Sequence, residues 1–310
     1  MNDTAMRPCP VCSAPSRVTV ELGAAHIRER LAEEFAAPVP SSLSIADYAM
    51  RQCSACELVF ADPMRAGNNE FYRWVTGFPA YHAEARWEWS MMKRRLVRRG
   101  PTKLLELGCG EGKFLSSIAD LKQVQAQGID LSESAIAEAR AKGLNVRRAA
   151  IEDIIGKQER FDVIVMSHVL EHVEDPLGIA KSCRALLNKD GAIFFSVPYS
   201  PTSREYLRLD IMNLPPHHLT RWNMKSLQRL AEIVGLNLAY DMREAKPVLK
   251  RAIKHTVEAV NGPGKSGTLH EAATVLTHPK EFSDAVKLFR SRERVDGKRA
   301  ADEILVLFSS

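Results

Sequence analysis

The chain has 310 residues, 45% hydrophobic, 26% charged and 7% aromatic, a composition that fits one large soluble domain or two and excludes a fibrous or low-complexity chain. Its 43 basic and 38 acidic residues leave a net charge of +5, too small an excess to argue for nucleic acid and equally suited to an anionic small molecule. No apolar run reaches the length of a membrane span, and "MNDTAMRPCPVC" has no signal-peptide pattern, so a cytoplasmic protein without membrane insertion is expected.

Residues 1–66 hold two C-x-x-C pairs, "CPVC" and "CSAC", 40 residues apart, with a helix expected over "AHIRERLAEEF" between them. In a reducing compartment such pairs suggest metal ligation rather than disulfides. Four thiolates, Cys9, Cys12, Cys53 and Cys56, complete a tetrahedral Zn2+ site. The flanks "YAMRQC" and "CELVFADP" read as two strands of a zinc ribbon, so a closed structural site is expected. A redox C-x-x-C fits less well, because it usually occurs once, at a helix start. Cys109 and Cys183 stand alone and read as packing residues.

Residues 67–100 form an aromatic connector that includes Phe71, Tyr72, Trp74, Tyr81 and Trp87. A helix with a basic end is expected from Tyr81 to Arg99, stopped by Gly100-Pro101. From 101 to 310 the pattern becomes strand, turn, helix, repeated. Strands are expected at "TKLLEL", "VQAQGID", "LNVRRA", "FDVIVMS", "AIFFSVP", "LNLAYDM" and "EILVLFS". Helices are expected at "GKFLSSIADL", "SESAIAEARAKG", "PLGIAKSCRALLNKDG" and "NMKSLQRLAEIVG". This alternation predicts an α/β fold, a parallel sheet with helices on both faces. A basic, mostly helical insertion at about 246–300 receives no role.

The stretch "KLLELGCGEGKF" puts a glycine turn at a strand-to-helix junction, where open α/β sheets bind ligands. Three glycines in five residues exceed what a bare tight turn needs. The nicotinamide fingerprint G-x-G-x-x-G fails in both registers, because its third position falls on Lys113 or Leu115. The second strand ends at Asp130, where a carboxylate can accept both hydroxyls of a ribose or act as a helix N-terminal acid.

The pattern E-x-G-x-G-x-G, with Asp130 and the stretch "FDVIVMSHVLEHVEDP", resembles the class I S-adenosylmethionine-dependent methyltransferases over residues 102–242. The resemblance implies a Rossmann-like, doubly wound, seven-stranded sheet beside the small zinc ribbon. It also implies that S-adenosylmethionine is the cofactor. Gly108, Cys109, Gly110 and Gly112 would then cradle its methionine part, with Glu106 interacting directly or through water. Asp130 and Leu131 would lie at the ribose. Ile151 would pack on the adenine, with Glu152 or Asp153 near its amino group. Ser167 and His168 would line the pocket floor, while Glu171 and His172 tie the turn.

A zinc ribbon, an aromatic connector and such a domain together look like a bacterial group acting on sugars, lipids or secondary metabolites. The implied function is methyl transfer to a small-molecule acceptor, a sugar or sugar nucleotide among them. Two alternatives stay open: an RNA methyltransferase with a zinc-binding recognition module, and a non-catalytic zinc-ribbon binding protein. RNA methyltransferases of that kind usually close their zinc set with a histidine, which is absent here. Candidate catalytic residues are His217 and His218 in "NLPPHHLTRW". Either would deprotonate a hydroxyl, and the equal alternative is that they brace the loop or bind a substrate phosphate. Arg221 and Trp222 would add charge and stacking to a substrate pocket. Tyr81 and Trp87 would either close it or pack the domain seam. The oligomeric state is left open.

Overall fold

The computed structural model describes residues 7–78, 81, 85–157, 159–202, 205, 210–244, 247–261, 268–291, 294–295 and 298–310. It divides into two compact units, Met1–Pro198 with Ile211–Asp241 and Leu305–Ser310, and Tyr199–Asp210 with Met242–Ile304.

The larger unit opens with β1 (Ser16–Leu22), α1 (Ala24–Phe35), β2 (Tyr48–Cys53) and β3 (Val59–Asp62). Helix α1 buries Ile27 and Leu31, one turn apart on the same face. Helix α2 (Asn69–Thr76) is capped by Asn68, whose side chain accepts from the Phe71 amide, and it buries Phe71 and Val75. Helix α3 (Trp87–Arg99) buries Glu88, Met92 and Leu96 at fourfold spacing. It starts at Trp87 rather than Tyr81, because Arg86 is extended. Residues 82–84 of the expected span lie outside the described ones.

The main sheet follows. Its elements are β4 (Thr102–Leu107), α4 (Lys113–Ser117), β5 (Val124–Asp130), α5 (Glu133–Ala141), β6 (Val146–Arg148), α6 (Glu152–Ile155), β7 (Phe161–Ser167), α7 (Pro176–Leu186) and β8 (Leu187–Pro198). Then come β9 (Thr220–Arg221), α8 (Met224–Val234) and β10 (Asn237–Glu244). The chain continues through α9 (Val248–Asn261), α10 (Thr268–Thr277), α11 (Pro279–Ser291), β11 (Arg294–Val295) and β12 (Lys298–Ser309). Seven strands lie in the order β10-β12-β8-β7-β4-β5-β6, and β11 adds to β12. The pairs β4/β5, β4/β7, β5/β6 and β7/β8 are parallel. Successive strands step one way from β4 to β6 and the other way from β7, so β4 marks the switch point of a doubly wound sheet.

Two helices are shorter than their sequence pattern. Helix α4 stops at Ser117, and the Leu121 and Val124 amides bond to Ile118 and Leu121 carbonyls in consecutive turns. Helix α7 stops at Leu186, and "LNKDG" enters β8 instead. A register shift against Phe161–Val163 absorbs the extra residues, a bulge that strand periodicity does not announce.

A second, four-stranded sheet has the order β1-β2-β3-β9. Its first three strands are bordered by the cysteine pairs, one before β1 and one at the β2–β3 turn, and its fourth comes from the segment that holds the histidine pair. The β3/β9 register pairs Val59 with Arg221 and Phe60 with Thr220.

The smaller unit contains α9, α10 and α11 around a core of Ala252, Ala285 and Phe289. The Arg251 guanidinium sits over the Phe289 ring at 4.5 Å. Of the expected 246–300 insertion, residues 246, 262–267, 292–293 and 296–297 lie outside the described ones.

Candidate active site

Strand β4 ends at Leu107, and Gly108, Gly110 and Gly112 follow with φ of 67°, 50° and 75°. All three adopt the left-handed region that disfavours side chains, but their surroundings differ. A Cβ on Gly108 would stand 2.6 Å from Val169 Cγ2, and one on Gly112 would stand 2.2 Å from Leu144 Cδ1. A Cβ on Gly110 would meet nothing within 4 Å among the described residues. Two glycines therefore admit neighbouring side chains, and Gly110 alone faces open space. The Cys109 side chain is buried and packs over Gly128 of β5, which leaves its backbone to the loop.

The two strand ends are tied together. The Gly108 and Cys109 amides donate to the Ile129 carbonyl at 2.8 and 3.1 Å. The Gly110 amide donates to Asp130 Oδ2 and the Ser132 amide to Asp130 Oδ1, both at 2.8 Å. Each carboxylate oxygen keeps a further lone pair. Next to it Leu131 is 71% exposed, a bare apolar side chain at the mouth. Glu106 is buried, and its Oε2 has no hydrogen-bond partner among the described residues. Burial, and then the nearby Asp130 charge, push its carboxyl well above the usual range. An orphaned buried carboxyl beside an unobstructed glycine fits a ligand that carries an ammonium group. Ile151 is buried at the start of α6, Glu152 is exposed, and Asp153 accepts from the Ala150 amide at 2.9 Å.

Strand β7 delivers Ser167 and His168 beside this loop, and Val169 abuts Gly108. Ser167 Oγ accepts from Trp89 Nε1 at 2.9 Å. His168 has a left-handed backbone, φ 54°. Its Nδ1 lies 3.1 Å from Glu171 Oε1 and its Nε2 lies 3.2 Å from Glu88 Oε1. Burial opposes charge on this ring, but bonds to the two carboxylates outweigh it and hold the imidazolium at about 9. Burial likewise opposes charge on both acids, and the same partner keeps each below its ordinary value. Glu88 escaped the sequence reading. Its one signal was an acid occupying a position of the apolar stripe of α3.

A second group lies past the β7 turn. The Leu219 and Thr220 amides donate to the Glu171 carbonyl at 2.7 and 3.2 Å, which holds the histidine segment against "LEH". His172, His217 and His218 gather there, with ring centroids 4.5–4.6 Å apart. The Tyr72 hydroxyl donates to the His217 carbonyl at 3.4 Å and lies 3.5 Å from His172 Nδ1. The Tyr81 ring stands 5.5 Å from the His217 ring. Burial, then the neighbouring imidazoles, hold His217 and His218 well below the usual histidine range, so both are uncharged at neutral pH. Trp222 corrects the expectation of a stacking residue. It is fully buried, and its Nε1 donates to Thr220 Oγ1 at 2.9 Å, so the ring seals the core. Arg221 Nε donates to the Asn213 carbonyl at 2.7 Å. Trp87 packs on the main core.

The four cysteines of the ribbon converge. Sγ separations are 3.7 Å for Cys9–Cys56, 3.5 Å for Cys12–Cys53 and 3.6 Å for Cys12–Cys56. A zinc tetrahedron with Zn–S of about 2.3 Å has edges of about 3.8 Å. The donor set and spacing fit that ion. The Ala55 and Cys56 amides donate to Cys53 Sγ at 3.4 Å, as suits a thiolate ligand. Main-chain bonds join ribbon and histidine segment: Ala61 amide to Leu219 carbonyl at 2.8 Å, and Gly67 amide to Pro216 carbonyl at 3.0 Å. Glu57 adds an ion pair to Lys225 at 2.7 Å.

A family model described as a methyltransferase domain matches residues 81–240. The ubiquinone biosynthesis O-methyltransferase of Actinobacillus pleuropneumoniae serotype 5b is 42% identical over 105 residues, which cover 30% of this chain and 44% of that protein. The enzyme of the same name from Glaesserella parasuis serovar 5 is 32% identical over 161 residues, 43% of this chain and 67% of that protein. The match thus spans under half the length of the first of these relatives. Among solved structures, a SAM-dependent methyltransferase from Archaeoglobus fulgidus aligns at TM-score 0.47 and 18% identity, over 72% of this chain and 94% of that one. No helix among the described residues is long and apolar enough to cross a membrane.

Proposed function

This chain belongs to the methyltransferase-domain family, and from that premise we propose that it methylates a hydroxyl of a small-molecule acceptor using S-adenosylmethionine. The observation that carries the reading is Gly110, open beside Asp130 and near Glu106, whose Oε2 has no partner among the described residues. When bound, the cofactor supplies a methyl group on a sulfonium, an electrophile that needs no further activation. Glu106 and the Gly108–Gly112 backbone hold its amino-acid end. Asp130 keeps lone pairs for the ribose hydroxyls. Leu131 and Ile151 offer apolar surface to the adenine, with Glu152 at its amino edge. Ser167 and His168 form the floor, and His168 is fixed in place by Glu88 and Glu171.

The histidine segment serves the acceptor. His217 and His218 stay uncharged at neutral pH, so each keeps a lone pair that can accept a hydroxyl proton. A sugar or sugar-nucleotide acceptor is favoured by the ribbon–connector–methyltransferase order. The Cys9, Cys12, Cys53 and Cys56 set carries a structural zinc ion, closed by four thiolates.

Calorimetric titration with S-adenosylhomocysteine tests the reading. Saturable binding is expected, abolished in Gly110→Val. No binding at high micromolar cofactor, or binding of NAD instead, sinks it.

A further inference from the structure

Tautomers in the histidine group are set by its neighbours. The His217 carbonyl can only accept, so His172 Nδ1, 2.7 Å from it, carries the hydrogen and Nε2 carries the lone pair. Asn213 Oδ1, 2.8 Å from His218 Nδ1, sets that ring the same way. An imidazole that donates through one nitrogen to an oxygen, leaving the other as a lone pair, is the arrangement by which proteins aim histidine at a metal. His217 contributes a third nitrogen. The residue is 4% exposed, and its buried Nδ1 has no hydrogen-bond partner among the described residues. None of the three rings hydrogen-bonds to another. One ligand atom from each lies within 4.8 Å of the others. Zinc–nitrogen bonds of about 2.0–2.1 Å would draw them to roughly 3.3 Å, a closure within reach of small side-chain rotations.

We propose that His172, His217 and His218 bind a divalent transition metal of the zinc type, with at least one coordination position open. Three neutral imidazoles select such ions over magnesium or calcium. This makes the protein a carrier of two unlike metal sites: four thiolates closed around one ion, and three nitrogens holding another that can take an outside ligand. The site itself stands apart from the methyl-transfer reading. Its consequence rests on that reading: an acceptor hydroxyl in the open position loses its proton more easily. The O–H bond breaks, the proton passes to water, and the oxygen's electron pair forms the new bond to the methyl carbon as the carbon–sulfur bond breaks and its pair stays on the departing thioether sulfur.

The purified 310-residue chain, loaded with Zn2+ and dialysed, should hold two zinc ions per chain by elemental analysis, and His172→Gln or His218→Gln should hold one. Loading with Co2+ separates the sites by spectrum. The thiolate-to-cobalt charge-transfer bands should persist in both histidine variants, while the nitrogen-site ligand-field bands disappear. One metal per chain in the unaltered protein, with thiolate bands alone, overturns the proposal without recourse to any variant. S-adenosylhomocysteine titration of the same samples keeps the two readings distinct. A one-zinc chain that binds this ligand refutes the histidine site alone, and a two-zinc chain that does not bind it refutes methyl transfer alone.

Discussion

The proposed cofactor side and the proposed acceptor side of the site are built in opposite ways. The cofactor side is local. Glu106, Gly110 and Asp130 lie within 25 consecutive residues, and β4 and β5 bring them together as adjacent parallel strands. On the proposed reading its work falls to main chain and to Glu106, whose Oε2 has no partner among the described residues. The acceptor side is assembled from afar. Tyr72, His172 and the His217-His218 pair come from three distant stretches and meet through the β7 turn and the ribbon's last strand. In the proposed function a cofactor common to many enzymes would thus be met by a short contiguous motif, and the acceptor by a surface that differs whenever distant segments differ.

That contrast can be broken or sharpened by substitution. The largest effect is expected from Cys53→Ser. Loss of the ribbon's ion should lower the unfolding free energy by on the order of 5 kcal/mol, measured by urea denaturation with and without chelator. Residual folded protein should lose acceptor turnover while keeping S-adenosylhomocysteine affinity. Equal loss of both would merge the two sides. Next, His218→Gln should reduce kcat by about 10²- to 10⁴-fold, roughly 3–5 kcal/mol in the barrier, with cofactor Kd unchanged. An unaltered rate removes His218 from the chemistry.

The third effect is one of pH. His168 is held at about 9 in the folded chain against about 6.5 when unfolded. Its contribution is therefore complete below pH 6.5 and disappears as pH rises through 9, a loss of up to about 3 kcal/mol. Unfolding curves at pH 6.5 and 9.5 should show it, and Glu88→Gln should flatten the dependence. The smallest effect compares two glycines. Gly108→Ala sets a methyl against Val169 and should cost about 2–3 kcal/mol of stability. Gly110→Ala should cost about 1 kcal/mol of stability yet weaken cofactor binding tenfold or more, since its Cβ enters the cradle. Identical behaviour of the pair would contradict an open site at Gly110.

The same contrast governs what could be read from residues alone. Strands β4 and β7 match their expected runs because most of their residues are buried, and β5 matches too although only Gly128 and Ile129 of it are buried. The paired C-x-x-C spacing announced its cluster, since four thiolates have one geometry to satisfy. Glu88 was hidden because helical periodicity records where a side chain points, and carries no trace of the imidazolium that meets it 80 positions later. Trp222 was misjudged for a related reason: an aromatic beside charged residues looks exposed until Thr220 supplies a buried acceptor. The bulge in β8 was invisible because three residues inserted into a strand alter no composition.

Strand β9 is only two residues long, and its neighbour on the sheet is β3 of the ribbon. A piece of backbone that brief cannot hold its own conformation. The cysteine module therefore braces the backbone that carries the histidines. In divergence, the segment between "CSAC" and Pro63 and the run from Pro216 to Lys225 are bound to drift in concert. Exchanging ribbons between two relatives should transplant acceptor preference along with the metal.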